Sequence, residues 1–193
     1  MRFFSCKTLL LAAALAMGLQ GTNLAAAPQQ KAPSQQKVSL LEGQWVFRLP
    51  KEYVNSPMPE IDEKAKAAGV TGSLYMNKAA KRVVIITETP LESRETVSSN
   101  DNATLSGVIA ATIEQQKASY QDFRQLGDVK KMVRRGLGLR QLDISGSVDG
   151  GKVLSSTVTA ASGKRMAMVN VISLEKDAKA HGELLKGITA GNR

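Results

Sequence analysis

The sequence is poor in the residues that carry most metal and redox chemistry. Among its 193 residues there is one cysteine, Cys6, and one histidine, His181. A thiolate-held metal site requires several cysteines or histidines at short spacing, so the sequence predicts no metal ion and no cofactor. Cys6 lies in a segment with the character of an export signal, so we expect no disulfide in the exported chain. The folded domain must then depend on its apolar core and its hydrogen bonds.

Aromatic residues are also scarce, at 4 % of the chain. Proteins that bind single-stranded nucleic acids combine aromatic side chains, on which the bases stack, with basic ones. No such alternation occurs in this sequence, and we therefore exclude nucleic acid as a partner. The glycines Gly136, Gly138 and Gly146 are not followed by a helix start, so they do not predict a phosphate-binding loop.

One apolar run near the N-terminus extends from Leu9 to Leu19. A helix that crosses a bilayer needs about 20 apolar residues, so this run is too short to serve as a membrane anchor. Basic residues precede the run and small residues follow it, which is typical of a secretory signal. The sequence therefore predicts a signal peptide over residues 1–27, with cleavage after Ala26 or Ala27.

The exported product is expected to be soluble and periplasmic. No cysteine directly follows the apolar run, whereas a lipoprotein signal requires one to carry the lipid. The signal contains Arg2 and Lys7 and no acid, so its removal lowers the formal net charge from +9 to +7. Residues 28–37 are rich in Gln, Pro, Lys and Ser and predict a flexible linker. The rest of the chain, residues 38–190, has the length of a single domain.

Beyond the linker, the hydrophobic pattern predicts mainly strands. Trp45, Phe47 and Leu49 alternate along one strand that ends at Pro50. The run Val83–Ile86 has no polar side, which is typical of a central strand covered on both faces. Short glycine turns separate the last three strands and predict an antiparallel meander. The other predicted strands are Val70–Met76, which pairs with Val83–Thr87, and then Val129–Val133, Leu137–Ser147, Lys152–Ala160 and Arg165–Leu174.

Two longer helices complete the pattern. Apolar residues at helical spacing predict one helix from Leu105 to Tyr120 and a closing helix from about Asp177 to Ile188. One or two helical turns are also predicted at Ile61–Ala68. Strands followed by helices without strict alternation predict an α+β fold, in which two helices cover an antiparallel sheet.

The sequence resembles the DcrB-like periplasmic proteins of Gram-negative bacteria, whose fold is related to the photosystem II extrinsic subunit PsbP. The resemblance extends over most of Val38 to Leu174 and rests on packing and turn patterns. These are Val38-Ser39-Leu40-Leu41-Glu42-Gly43, Phe47-Arg48-Leu49-Pro50, the strand Val83–Ile86, Glu114-Gln115-Gln116 and Gln141-Leu142-Asp143.

This resemblance implies a PsbP/DcrB-like sandwich and a non-enzymatic role in the cell envelope. DcrB-like proteins are linked to phage adsorption, envelope integrity and lipoprotein maturation, and the resemblance brings no catalytic residues. The best-known member is an inner-membrane lipoprotein, and the missing cysteine means that membrane anchoring is not carried over. The related Eag chaperones hold apolar effector segments in the cytoplasm, a location that the signal peptide argues against.

The segment around residue 130 carries an unusual density of positive charge. Lys130, Lys131, Arg134 and Arg135 fall within six residues, and Arg140 follows closely. Alternation in a strand would send Lys130 and Arg134 to one face and the other two to the opposite face. One interpretation is protection of a sheet edge against aggregation. The other is a contact with an anionic partner, either a lipid surface or an acidic envelope protein.

Methionines mark a second candidate surface. Met166 and Met168 alternate along one strand and share a face with Asn170. Methionine fills cores well but also lines surfaces that adapt to varied apolar partners. We therefore consider this pair as core filling or as an apolar partner face.

The sequence as a whole predicts an exported, non-enzymatic binding protein that acts in maintenance or assembly of the cell envelope. Its oligomeric state stays open. One alternative is a module that binds a small molecule or lipid in a cavity between the sheet and a helix. A second alternative is a hydrolase that uses His181, which lies on the apolar stripe of the closing helix. That role would require a serine or aspartate within hydrogen-bond reach of His181.

Overall fold

The computed structural model describes residues 35–56, 58, 61–91 and 96–190. The predicted signal peptide and the first part of the predicted linker lie outside these residues. Within the described part, no helix is long and apolar enough to cross a membrane.

The described chain has an α+β fold dominated by antiparallel strands. The strands are β1 Gln35–Leu40, β2 Trp45–Pro50, β3 Val54–Ser56, β4 Thr71–Asn77, β5 Arg82–Pro90, β6 Gln121–Gln125, β7 Lys130–Arg134, β8 Leu137–Val148, β9 Gly151–Ser162 and β10 Arg165–Leu174. The helices are α1 Glu63–Ala67, α2 Asn102–Ser119 and α3 Ala178–Ala190.

Eight strands form one large sheet in the order β3-β4-β5-β10-β9-β8, and β8 then pairs with both β6 and β7. Strand β7 pairs with the first half of β8, and β6 pairs with the second half. The predicted meander of β8, β9 and β10 is confirmed. The turn between β8 and β9 has positive φ at Asp149 and Gly150, at 48° and 77°. This geometry matches the twist of the two strands that it joins.

The two faces of the large sheet are covered differently. On one face, here the α3 face, the ribbon of β1 and β2 packs together with α3. Its core contains Trp45, Phe47, Val169, Leu185 and Ile188. On the opposite face, here the α2 face, α2 packs over β8 and β9. The prediction of an antiparallel sheet covered by two helices is therefore incomplete, because a two-stranded ribbon supplies much of one layer.

The ribbon is fixed to α3 by the only tryptophan in the sequence. The indole Nε1 of Trp45 donates a hydrogen bond of 3.0 Å to the carbonyl oxygen of Ile188. Trp45 also contacts Phe47, with ring centroids 5.8 Å apart. Because a buried indole N–H needs a partner, this bond determines where the last turn of α3 lies.

The connection from β1 to β2 uses an uncommon backbone conformation. Leu41 and Glu42 have φ of 50° and 55°, and Gly43 follows with 88°. Such values cost free energy for residues other than glycine. The carboxylate of Glu88 in β5 accepts a 2.9 Å hydrogen bond from the Leu41 amide and also pairs with Arg165. This contact holds the ribbon against the sheet.

Three differences from the sequence prediction concern weakly patterned segments. Strand β1 begins at Gln35, three residues before the predicted start of the domain. Strands β3 and β6 were not predicted. Strand β3 has only three residues, and β6 shows no apolar alternation. Both strands form because a neighbouring strand offers unpaired backbone groups, and this tertiary effect leaves no local pattern.

We expect the packing of α3 on the ribbon to contribute strongly to stability. The side chain of Ile188 is fully buried, so Ile188→Ala should lower the free energy of unfolding by about 2–5 kcal/mol. Urea unfolding followed by the fluorescence of Trp45 measures this change. The matched control is Lys186→Ala on the exposed side of α3, which should change stability by less than about 0.5 kcal/mol. Equal effects of the two substitutions would contradict the described packing.

Candidate functional site

The basic segment forms an edge of the large sheet. Strand β7 pairs with β8 on one side and with no described strand on the other. The turn from β7 to β8 consists of Arg135 and Gly136, whose φ values of 52° and 82° suit a tight two-residue hairpin. The hairpin therefore displays its cations at a free strand edge.

The four cations of the hairpin differ in how their charge is compensated. Lys130 is exposed but forms an ion pair with Asp143, with a distance of 2.5 Å between Nζ and Oδ2. Lys131, Arg134 and Arg135 are also exposed. Among the described residues, no carboxylate lies within ion-pair distance of these three. Their charge is therefore available to a partner.

The predicted alternation along β7 agrees with the register of the strand pair for Lys130, Lys131 and Arg134 but not for Arg135, which lies beyond the strand. Lys130 and Arg134 lie opposite Gln141 and Leu137 and face the α3 side, whereas Lys131 lies opposite Arg140 and faces the α2 side. Arg135 lies in the turn, where it belongs to neither face. We define the basic edge as Lys131, Arg134 and Arg135.

Arg140 does not belong to the exposed set in which the sequence analysis placed it. Only 5 % of its surface is exposed, because the start of α2 covers it. Its Nη2 donates to the side-chain oxygen of Asn102 at 2.7 Å, and its Nη1 donates to the carbonyl of Leu139 at 3.0 Å. Because Arg140 is buried, the structure does not support the prediction that it directly contacts a large partner surface.

The two methionines are buried as well. Met166 and Met168 are 8 % and 5 % exposed, and Met166 packs with Leu105 and Ala161 beneath α2. Their strand, β10, is central in the sheet, and Leu105 of α2 packs against Met166 on this face. Of the two interpretations of this pair, core filling agrees with the structure, and an apolar partner face at Met166 and Met168 does not.

His181 lies at the centre of a buried polar network on the α3 face. Its Nε2 and the hydroxyl of Ser156 are 2.9 Å apart, and its Nδ1 and the hydroxyl of Ser173 are also 2.9 Å apart. The hydroxyl of Ser156 donates to Asp143 at 2.5 Å. Ser173 accepts from Nε of Arg82 at 2.9 Å. The network thus connects β5, β10, α3, β9 and β8.

The bonding partners fix the proton positions in this network. Because the Asp143 carboxylate accepts the single hydroxyl proton of Ser156, Ser156 can only accept from Nε2 of His181, which therefore carries the ring proton. In the neutral ring Nδ1 is then an acceptor and takes the proton of Ser173, whose oxygen accepts from Arg82. Every bond is satisfied when His181 is neutral. Burial lowers the pKa of His181 to about 4, while Asp143 opposes part of this shift and Arg82 adds to it.

Asp143 joins this network to the basic edge. Burial would raise the pKa of Asp143, but hydrogen bonds from Lys130, Ser156 and Gln141 outweigh burial and hold the pKa below its ordinary value. The carboxylate is therefore ionised at neutral pH. It both ends the buried network and neutralises Lys130.

The network meets one requirement for nucleophilic catalysis and fails another. A serine lies within hydrogen-bond reach of each ring nitrogen of His181. A catalytic histidine must accept the proton of the nucleophile. Ser156 directs its proton to Asp143 instead. Ser173 does donate to the ring, but its oxygen also accepts from Arg82 and its surface is only 1 % exposed. His181 and Ser156 are 5 % and 2 % exposed, so a substrate cannot reach them without rearrangement of α3.

No local sequence pattern reveals the partners of His181. Arg82, Asp143, Ser156 and Ser173 lie on four different strands that pair only in the folded sheet. Ser173 follows an apolar stretch of β10, but Ser156 lies in a polar run of β9, so neither serine stands out in the local pattern. Among the described residues, no group of three or more histidine, cysteine, aspartate or glutamate side chains could hold a metal ion.

A groove of about 250 Å³ lies between β1 and the edge formed by β4 and β5. Its lining includes the polar residues Lys37, Ser39, Thr71, Ser73 and Glu88. The position differs from the predicted cavity between the sheet and a helix. Both the ribbon edge and the first residues of β4 border it, so the groove is a gap between the two sheets.

Comparison with known proteins identifies the fold. No family model matches the sequence, and no curated protein matches it either. The solution structure of cyanobacterial PsbP (CyanoP) from Synechocystis superposes with a TM-score of 0.55 at 11 % identity, covering 87 % of this chain and 96 % of that chain. The chain therefore has a PsbP-like α+β fold. At this identity the likeness concerns the fold alone.

Two further solved structures superpose less closely, each with a TM-score of 0.45. One is PA94 from Pseudomonas aeruginosa, a protein of unknown function, at 11 % identity over 83 % of this chain and 97 % of that chain. The other is LpqN of Mycobacterium tuberculosis, which is involved in cell envelope biogenesis, at 13 % identity over 80 % of this chain and 86 % of that chain. We base no conclusion on these two.

We expect the buried histidine to make stability depend on pH. The unfolded chain binds a proton at His181 near pH 6.5, but the folded chain binds it only near pH 4. Between these values the unfolded state holds more protons, so stability should fall by up to about 3 kcal/mol as the pH decreases from 6.5 to 4. Urea unfolding at several pH values measures this loss.

The variant His181→Gln should weaken that pH dependence, because glutamine does not titrate. At pH 7 it should cost about 1–2 kcal/mol, since the amide cannot reproduce both hydrogen bonds of the ring. Lys179→Gln on the exposed side of α3 is the control and should keep the full pH dependence. A His181→Gln protein with an unchanged slope between pH 6.5 and 4 would show that another group causes the loss.

Proposed function

We propose that this protein is a non-enzymatic, exported binding protein of the cell envelope, and that it contacts anionic surfaces through its basic edge. The observation that carries this proposal is the exposure of Lys131, Arg134 and Arg135 without a carboxylate partner among the described residues. Three uncompensated cations on one hairpin produce a local positive potential, which attracts anionic lipid head groups or acidic proteins.

The net charge of the chain supports the same function. A formal charge of +9, or +7 without the predicted signal peptide, favours association with the anionic surfaces of an envelope. The contact would be electrostatic and therefore sensitive to salt. The proposal also includes membership in the DcrB-like family and a periplasmic location, both of which derive from the sequence.

Catalysis by His181 is the weaker alternative. The ring is buried, and the hydroxyl proton of Ser156 goes to Asp143 rather than to the ring. Both ring nitrogens already have partners, so the network has the character of a structural element. We infer that His181 stabilises the packing of α3 and takes part in no reaction.

A small-molecule site in the groove between β1 and β4 is the second alternative. The volume of about 250 Å³ is at the low end for a ligand site. Polar side chains such as Lys37, Thr71 and Glu88 contribute much of the lining, which favours water over an acyl chain. The basic edge is therefore the better-supported binding surface.

Charge reversal at the basic edge tests the proposal. Arg134→Glu combined with Arg135→Glu should lower the affinity for phosphatidylglycerol vesicles by about tenfold or more at about 50 mM salt, because each cation near an anionic membrane contributes about 1 kcal/mol. Vesicle co-sedimentation measures the bound fraction. Binding of the unmodified protein should also weaken as salt rises to about 300 mM. Lys130 is left unchanged, because a glutamate there would face Asp143.

The control variant carries Lys78→Glu and Lys81→Glu in the exposed turn between β4 and β5. This turn lies at the opposite end of the sheet from the turn of the basic edge. The net charge changes equally in both variants, so a loss that depends on position should appear only at the basic edge. Equal losses of vesicle binding in the two variants would show that binding depends on net charge alone and not on the basic edge. If neither variant lost binding, the proposal would be contradicted.

Export is tested on the N-terminus of the purified protein. Cells that produce the full chain should release it on osmotic shock, with an N-terminus at Ala27 or Pro28 in the mass spectrum. These ends correspond to cleavage after Ala26 or Ala27. A protein that keeps Met1, or that is found only in membranes, would show that the segment is an anchor rather than a cleaved signal.

A further inference from the structure

The α2 face contains a buried guanidinium without a counter-charge. Arg140 is 5 % exposed, and its partners are the neutral oxygens of Asn102 and Leu139. No carboxylate of the described residues lies within ion-pair distance of it. Its Nε has no hydrogen-bond partner. A buried charge is costly unless it is both paired and fully hydrogen-bonded, so this guanidinium lacks an anion.

A second unpaired group lies beside Arg140. Thr159 is its direct cross-strand neighbour in β9 and is fully buried. The hydroxyl of Thr159 has no hydrogen-bond partner. Cross-strand neighbours place their side chains within about 5 Å of each other on the same face. Two unpaired hydrogen-bond donors are thus adjacent below the start of α2.

The third member of the group is exposed to solvent. Lys131 lies opposite Arg140 in β7, on the same face, and is exposed. The register places Lys131, Arg140 and Thr159 in one row across three strands. The row begins at the solvent-exposed edge and leads inward to the two unpaired donors. Arg140 and Thr159 are 5 % and 0 % exposed, so an anion reaches them only when the start of α2 moves away from β8.

The start of α2 lies directly over Gly138 and Arg140 of β8. Gly138 donates a 2.6 Å hydrogen bond to the carbonyl of Ser99, and Arg140 bonds Asn102 at 2.7 Å. A side chain at Gly138 would collide with Asn100, so the backbone there approaches β8 closely. The N-terminus of α2 is already capped by the carboxylate of Asp101, which accepts from the Thr104 amide at 2.6 Å, so an anion at this position would bond to the side chains rather than to the helix amides.

We propose that Lys131, Arg140 and Thr159 form a binding site for an oxyanion of the phosphate type. Arg140 Nε and the Thr159 hydroxyl donate to its oxygens, and Lys131 closes the site on the solvent side. The proposal deepens the function argued above, because a phosphate head group at the basic edge would bring such an oxyanion to this position. The site shares Lys131 with the basic edge but differs from it in its buried donors, since Arg134 and Arg135 take no part.

Thermal unfolding with and without inorganic phosphate tests the site. Because a ligand that binds only the folded state raises its melting temperature, phosphate at about ten times its dissociation constant should raise the value by about 3–6 °C. Sodium chloride at equal ionic strength is the reference. Thr159→Val should reduce the shift, and Arg140→Met should abolish it.

The variant Arg140→Met has a second readout that does not depend on phosphate. If Arg140 is an uncompensated charge, its replacement by an apolar side chain of similar length should leave the melting temperature in phosphate-free buffer unchanged or raised. The control Arg134→Met should keep the full phosphate shift. A lower melting temperature for Arg140→Met in phosphate-free buffer would overturn the proposal, because it would show that the neutral partners already satisfy the guanidinium.

The source of the oxyanion is resolved by comparing two probes. Amide chemical shifts of Lys131 and Asn102 should move with inorganic phosphate and with a short-chain phosphatidylglycerol below its micelle concentration. A response to the lipid alone assigns the site to head groups, and a response to inorganic phosphate alone assigns it to the free ion. Absence of both responses would leave ordered water as the partner of these donors and overturn the proposal. Vesicle binding that still depends on Arg134 and Arg135 would then leave the proposed function standing.

Discussion

Strands β9 and β10 are buried on both of their faces, and the arrangement of the remaining elements follows from this constraint. On the α3 face, Val158 and Val169 require an apolar cover, which the ribbon and α3 provide together. On the α2 face, Thr157 and Asn170 lie below α2 and bond to each other at 3.0 Å. Because helices and ribbon are used to cover the centre, the edges of the sheet stay open to solvent. Charge accumulates at such an edge, in β7.

The two faces of the sheet differ in how completely their buried polar groups are hydrogen-bonded. On the α3 face, the bonds from Arg82 through His181 to Asp143 satisfy every donor and acceptor that the network uses. On the α2 face, Gln116, Arg140 and Thr159 each keep one buried atom without a partner. Since a buried polar atom without a partner costs free energy, a complete network indicates a structural role and an incomplete one indicates a missing ligand or water.

Sequence patterns predicted the elements whose side chains are sorted by burial. The alternation of Trp45, Phe47 and Leu49 predicted β2, and helical spacing from Leu105 predicted α2, because in both cases one side of the element faces the core. Strands β3 and β6 have no such pattern, since they form by pairing with a neighbour. The candidate site divides in the same way. Exposure of Lys131, Arg134 and Arg135 follows from a free edge, but the burial of Arg140 depends on where α2 crosses β8, a long-range relation that no local spacing encodes.

Edge protection and anion binding are compatible explanations of the charge on β7. Whether a cation has a carboxylate partner decides whether its charge is available to an anion. The lysines at positions 66, 117 and 130 each have a carboxylate partner, so they add little to the potential outside the protein. Lys131, Arg134 and Arg135 have none among the described residues. Protection of a strand edge against pairing with another chain requires only charged side chains at that edge, whether or not neighbouring carboxylates neutralise them. Leaving three of them uncompensated produces an outward positive potential that protection alone does not require, and this excess is the physical basis of the binding that we propose at the edge.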